Sequence, residues 1–352
     1  MPPCAHETPE GSREGRPRSG SPVVDVHCHL MTEAAQSLVA EHYSPDEILA
    51  HDPYDLYAGT ASREHNRSLG PTLLPKLRDV EPRLVDMDRM GIDVQVLAPF
   101  VSQNYYWTDA GLGRQLARLQ NERLAEVVAA HPDRFAAIGT VPLQDTTTAL
   151  GELDHVMGLG MKGVQISSNI DGVDLDDARF VPFWQRAQDL GAVVLIHPTG
   201  FTEGRRLDDW FLTNLIGNPL DSTIALSRLV LSGRLAQFPD LRLVVVHGGG
   251  YTPFYSARLD HGWEVRPEVR VNIEEPPSTY LRRVHYDTMV FSPRELLHLL
   301  EFAGPDQVLL GTDYPFDMGE DDPVGLTGSV DLTDEERELV RGGNAARVFG
   351  LA

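Results

Sequence analysis

Ala192-Val193-Val194-Leu195-Ile196-His197 is an apolar run without polar alternation that stops on a histidine. A strand with one wet face alternates apolar and polar residues, whereas a run apolar at every position reads as a parallel strand buried on both faces. Leu241 to His247 repeats the pattern as Leu-Arg-Leu-Val-Val-Val-His, ahead of Gly248-Gly249-Gly250. Working outward from this pair, short β-rich runs recur at 23–29, 93–100, 135–142, 163–168, 192–198, 242–248, 284–290 and 308–312. Amphipathic helical patterns lie between them near 109–130, 146–159, 177–190, 219–236, 252–262 and 293–303, and 332–348 follows the last strand. Eight strand–helix units predict an α/β fold, a (β/α)8 TIM barrel. The competing open doubly wound sheet is disfavoured because no Gly-x-Gly-x-x-Gly turn follows the first strand.

The length of 352 residues suits one large barrel. Lys and Arg number 30 against 52 Asp and Glu, and the net charge of -22 opposes any extended nucleic-acid or anionic-membrane surface. No apolar run reaches the roughly 18 residues that span a bilayer. Small-molecule chemistry remains, and an anionic substrate in this field needs local arginines. Cys4 and Cys28 alone give no disulfide framework and fit a reducing cytoplasm. Residues 1–22, rich in Pro, Gly, Ser, Arg and Glu without an apolar stretch, read as a disordered leader, leaving 23–352 as the folded unit. The segment 31–80 is long and weakly periodic. It reads as an insertion after the first strand, a lid or substrate-gathering loop over the barrel mouth.

In Val24-Asp25-Val26-His27-Cys28-His29-Leu30, alternation along the strand turns His27 and His29 the same way and Cys28 the other. Barrel enzymes collect their active groups at the C-terminal strand ends. The polar residues found there are His27, His29, Gln144, Asp145, His197, His247, Asp287 and Asp313. Singly, each has an ordinary explanation: a capped strand end, a glycine turn, a carboxylate accepting backbone N–H groups. Together they share one end of the barrel, and one metal ion accounts for that. Imidazoles with a carboxylate suit zinc or a similar divalent ion with an open position, leaving one histidine to move protons.

Lys162 precedes its strand and belongs to the opposite, structural face, so a single ion is expected rather than a bridged pair. His131 reads as a helix stop, His155 and His298 as helix residues, and His42, His51 and His65 as loop residues. Asp317, Glu320, Asp321 and Asp322 read as solvated acidic surface, and Asn344 as support for the closing helix. Tyr105-Tyr106-Trp107 after the second strand is a candidate wall for a planar substrate, with a packed loop as the alternative.

The ordered set resembles the amidohydrolase superfamily, in the branch of α-amino-β-carboxymuconate-ε-semialdehyde decarboxylase. The resemblance runs from Val23 to Phe349. It rests on Val24 to His29, Met87 to Val96 (Met-Asp-Arg-Met-Gly-Ile-Asp-Val-Gln-Val), Val141 to Asp145, His197-Pro198, His247 to Gly250, and Leu310 to Phe316 (Leu-Gly-Thr-Asp-Tyr-Pro-Phe). It implies one divalent ion, with zinc expected, on His27, His29, His197 and Asp313, and His247 as acid/base. It also implies that Arg258 and Arg266 contact the substrate, Arg258 from the neighbouring subunit of a homodimer. The family decarboxylase carries a further carboxylate-binding arginine in the insertion, where Gly70-Pro71-Thr72 has none; Arg63 and Arg67 are the nearby substitutes.

The activity implied is non-oxidative decarboxylation of a carboxylated aromatic or muconate-semialdehyde-like small molecule, with Trp107 in the substrate wall and no organic cofactor. The residues themselves are equally compatible with a hydrolase or hydratase of amide, lactone or carbon–carbon bonds. A catalytically inactive metal-binding scaffold is disfavoured by an unligated histidine beside the expected metal.

Overall fold

The computed structural model describes residues 21–52, 56–201 and 204–351. Each predicted apolar run forms a parallel strand: β1 Val24–Leu30, β2 Val94–Pro99, β3 Phe135–Ala137, β4 Gly163–Ile166, β5 Val193–Ile196, β6 Arg242–Val245, β7 His285–Asp287 and β8 Val308–Leu309. β1-β2-β3 and β4-β5-β6-β7-β8 are the two hydrogen-bonded runs. Two seams close them into a barrel. Gln165 N donates to Gly139 O at 2.8 Å between β3 and β4, and Val26 N to Leu310 O at 3.0 Å between β8 and β1.

Alternation sorts the side chains into two layers. Val96, Ala98, Val193, Leu195, Val244, Val246 and Leu309 fill the interior, floored by Val348 and Phe349 of the last helix. Leu97, Val164, Ile166, Val194, Ile196 and Val245 face outward onto helix residues such as Trp184, Leu226 and Leu229. His197 continues the inward series Val193, Leu195, which is why it arrives at the mouth rather than among the helices. Asn344 closes the far end by donating from Nδ2 to the carbonyls of Pro305 and Val308, each at 2.8 Å. Lys162 lies at that end, its Nζ 3.3 Å from Gly350 O.

Helices fall where the periodicity put them, at Ala110–Ala130, Thr146–Gly158, Val181–Leu190, Asn218–Leu231, Thr252–Val265 and Pro293–Ala303. The segment 31–80, expected to be a long loop, is instead largely helical, at Glu33–His42, Pro45–Ala50 and Thr60–Arg78, with Val80–Met90 following. Ser44 and Glu47 form a reciprocal capping box that starts the second of these. Gly70, Pro71 and Pro75 inside Thr60–Arg78 argue locally against helix. Tertiary contacts override them: Leu77 is buried, and Arg78 pairs with Glu33 at 2.8 Å. A short antiparallel hairpin, Asn169–Ile170 with Val173–Asp174, rises from the end of β4. Of the leader read at 1–22, residues 1–20 lie outside the described residues.

Candidate active site

β1 presents His27 and His29 side by side, their ring centroids 5.2 Å apart and edge to face. His197 from the end of β5 stands 5.0 Å from His27 and 4.9 Å from His29, and His247 after β6 stands 5.1 Å from His27 and 5.0 Å from His197. Asp313, past β8, reaches into this ring of imidazoles. Its Oδ1 lies 3.2 Å from His27 Nε2, 3.2 Å from His29 Nε2 and 4.0 Å from His197 Nε2, and its Oδ2 lies 3.5 Å from His247 Nε2.

The opposite ring nitrogens are anchored. His27 Nδ1 donates to Asp287 Oδ2 at 2.6 Å, His29 Nδ1 to Pro99 O at 3.2 Å, and His197 Nδ1 to Pro198 O at 2.6 Å. An imidazole that donates through Nδ1 turns a lone pair outward at Nε2, the arrangement that metal-binding histidines use. His27 Nε2 and His197 Nε2 are buried without a hydrogen-bond partner among the described residues. Orphaned buried nitrogens that converge on one carboxylate fit a divalent cation. His27, His197, His247 and Asp313 can each offer one atom within 4.8 Å of the others, while His29 meets the group through Asp313.

Charge follows burial. Burial opposes a charge on His27, yet Asp313 and Asp287 outweigh it and push the imidazole up to about 10. Burial holds His197 well below the usual histidine range and lowers His29 as well. Burial raises Asp313, but the surrounding imidazoles, His27 first, prevail and hold its carboxyl well below the usual range. Behind them Asp25 accepts from Thr312 Oγ1 at 2.7 Å and Gln95 Nε2 at 2.9 Å. Gln95 in turn accepts from Arg83, a fully buried guanidinium that also donates to the carbonyl of His29.

Asp287 stood among the strand-end residues without a role; it joins two parts of the site by accepting from His27 and, through Oδ1, from Gly248 N at 2.7 Å. Gln144 and Asp145 lie outside the cluster. Asp145 caps the next helix by accepting from Thr148 N, and Gln144 bonds Tyr105 and Thr108. Trp107 lines a neighbouring cavity and stacks on His51 at 4.5 Å.

Arg266 is exposed and paired with Glu268. Arg258 is exposed on Thr252–Val265. The acids near it are engaged elsewhere, Asp260 accepting from Ser278 N and Glu264 facing His261. Arg63 donates to the carbonyl of Leu56. The acidic loop pairs outward, Asp317 with His65 and Asp321 with Arg89.

A closed parallel barrel with buried imidazoles and a carboxylate converging at its C-terminal mouth defines a metal-dependent barrel enzyme. The chain belongs to the amidohydrolase family, whose model matches residues 24–351. It is 30% identical over 341 residues to 2-amino-3-carboxymuconate-6-semialdehyde decarboxylase of Dictyostelium discoideum, covering 93% of this chain and 91% of that one. The crystal structure of 5-carboxyvanillate decarboxylase from Sphingomonas paucimobilis superposes with a TM-score of 0.82 at 27% identity, covering 95% of this chain and all of the other. Dihydroxybenzoic acid decarboxylase of Polaromonas sp. JS666, solved with manganese and 2-nitroresorcinol, shares the fold at a TM-score of 0.78 and 23% identity, covering 95% and 98% of the two chains.

Proposed function

We propose that the protein is a metal-dependent, non-oxidative decarboxylase of a carboxylated aromatic or muconate-semialdehyde-like small molecule. The observation that carries this reading is the set of anchored imidazoles whose Nε2 atoms converge on Asp313, in a chain whose relatives are decarboxylases. His27, His29, His197 and Asp313 would hold one divalent ion, and the mixed nitrogen and carboxylate donor set favours zinc. Such an ion supplies electrostatic stabilisation for negative charge developing on substrate oxygen.

The remaining work falls to the chain. Loss of CO2 leaves the electron pair of the broken carbon–carbon bond on the substrate, and one proton must reach that carbon. His247 is the acid/base: it sits at the cluster's edge with Nε2 3.5 Å from Asp313 Oδ2. Asp287 fixes the turn that carries it through Gly248 N.

Arg258, with no partner among the described residues, supports a homodimer in which it reaches the neighbouring site and orients the substrate carboxylate. Arg266 would assist once released from Glu268, and Trp107 would wall the substrate. Residence in the cytoplasm is consistent with Cys28 being buried and without a disulfide partner among the described residues.

The test is incubation of metal-loaded protein with carboxylated aromatics and muconate semialdehydes, following CO2 and ultraviolet absorbance. Metal-dependent CO2 release is the expected result, with elemental analysis identifying the ion. A product that keeps all substrate carbon and gains water would overturn the reading in favour of a hydrolase or hydratase.

A further inference from the structure

The residues assigned to chemistry come from β1, β5, β6 and β8, with Asp287 on β7. The loops after β2 and β4 build something else. Together with the first helices and Thr199 they enclose a cavity of about 500 Å³. It adjoins the cluster on two sides: Thr199 follows His197 by two residues, and the ring of Phe100 lies 6.0 Å from Phe316, itself 5.5 Å from His29.

One wall carries three connected polar groups. Asn104 Nδ2 donates to Thr199 Oγ1 at 3.3 Å, and Ser167 Oγ and Thr199 Oγ1 are 3.1 Å apart. Two hydroxyls bring two hydrogens, and their mutual bond uses one. Whichever donates, the other keeps a hydrogen with no acceptor among the described residues. The patch therefore offers a neutral hydroxyl donor to whatever fills the cavity, beside Asn104 Oδ1, a buried acceptor with no partner among the described residues.

Formal charge in this cavity points the opposite way. Asp52 and Asp171 line it, and no lysine or arginine does so among the described residues. Of the residues outside the description, 53–55 and 202–203 contain neither type, while 1–20 include Arg13, Arg16 and Arg18. Against the described lining of this chain, a carboxylate would give up water without gaining a cation, whereas a hydroxyl, methoxy or carbonyl oxygen exchanges water for a neutral donor at little cost.

We propose that Thr199, Ser167 and Asn104 form a specificity subsite for a neutral oxygen substituent, so that the substrate bears one carboxylate, at the metal centre, and a hydroxyl, methoxy or carbonyl oxygen here. The inference rests on the decarboxylase reading for the nature of the substrate, and ligand binding tests it apart from turnover.

The probe is a panel of benzoates carrying hydrogen, hydroxyl, methoxy or a second carboxylate at each ring position, titrated calorimetrically into metal-loaded wild type. At one position hydroxyl should tighten binding about fivefold over hydrogen, the effect of a single net hydrogen bond. A second carboxylate there should weaken it. Thr199→Val, nearly isosteric, and Ser167→Ala should each reduce the hydroxyl gain below about twofold, with metal content and the affinity of the hydrogen-substituted ring unchanged.

Dicarboxylates binding as tightly as hydroxylated rings, no binding by any ring, or a full hydroxyl gain in both variants would overturn the subsite. CO2 release is scored separately. Discrimination without CO2 from any substrate would leave the subsite standing and remove the decarboxylase reading, while CO2 release without discrimination would remove the subsite alone.

Discussion

Replacing Asp287 by asparagine changes one atom type in a fully buried position and should loosen the metal without unfolding the barrel. In the wild type His27 Nδ1 donates to Oδ2 at 2.6 Å and Gly248 N donates to Oδ1 at 2.7 Å. A carboxylate accepts on both oxygens; a carboxamide accepts on one side and donates on the other. Either flip of the new side chain therefore sets one N–H against another. If the amide faces His27, the ring meets it with an Nδ1 lone pair and keeps its proton on Nε2, the atom that would bind the metal. If it faces Gly248, a buried backbone N–H loses its acceptor, at a cost of about 1–3 kcal/mol. Changes to groups that orient a metal-binding histidine typically weaken affinity about 10–100-fold, or about 1.4–2.8 kcal/mol. The assay is equilibrium dialysis against a competing chelator with elemental analysis, alongside a circular-dichroism melt. Affinity within twofold of wild type, in a protein that remains folded, would refute the reasoning.

His247→Ala should keep the metal and the fold but lose about 10²–10⁴-fold in turnover; loss of metal with turnover would make His247 a ligand instead. Mixing inactive His247→Ala with inactive Arg258→Ala protein should restore activity through hybrid dimers, and no recovery despite demonstrated subunit exchange would end the shared-site idea. Burial raises Asp221 to about 6 against the bonds from Ser168 and Asn169, so the folded state holds this proton more tightly than the unfolded chain. The stabilisation is complete below the ordinary aspartate value and is lost as pH rises through about 6, so Asp221→Asn should gain up to about 3 kcal/mol over wild type at pH 7.5 and little at pH 4; equal melting differences at both would contradict it. Arg83→Met strands the carbonyls of His29 and Lys76 and the amide oxygen of Gln95; urea unfolding should show a loss above about 3 kcal/mol, and one below about 1 kcal/mol would contradict it.

The chemical half of the site was legible because its residues interrupt apolar strands. A histidine closing Ala192 to His197 is conspicuous against five apolar neighbours, and barrel geometry supplies the reason that separate interruptions meet. Asp287 was visible for the same cause, yet its role was not, since nothing in the sequence pairs it with His27 across 260 positions. The polar wall of the cavity was not legible at all. Asn104, Ser167 and Thr199 sit in loops, where such residues are ordinary, and only closure of the barrel brings β2, β4 and β5 to one opening. The helices of 31–80 were hidden by Gly70, Pro71 and Pro75, although Ser44 and Glu47 carried a readable start signal.

His247 shows where alternation by itself misleads. Val244 and Val246 belong to the interior layer and Val245 to the outer one. Continuing that period would send His247 outward among the helices. The backbone instead turns left-handed at His247, with φ of 55°, and continues through Gly248 at 60°. A non-glycine residue there is strained by an amount on the order of 1–3 kcal/mol, and such strain persists only where the surroundings hold it. Here Asp287 holds it through Gly248 N, and a side chain at Gly248 would place its Cβ 2.5 Å from Val290 Cγ1. The carboxylate that aims His27 is thus also the one that keeps His247 turned toward Asp313, so the acid/base and a metal ligand are positioned by one group and should fail together when it is changed.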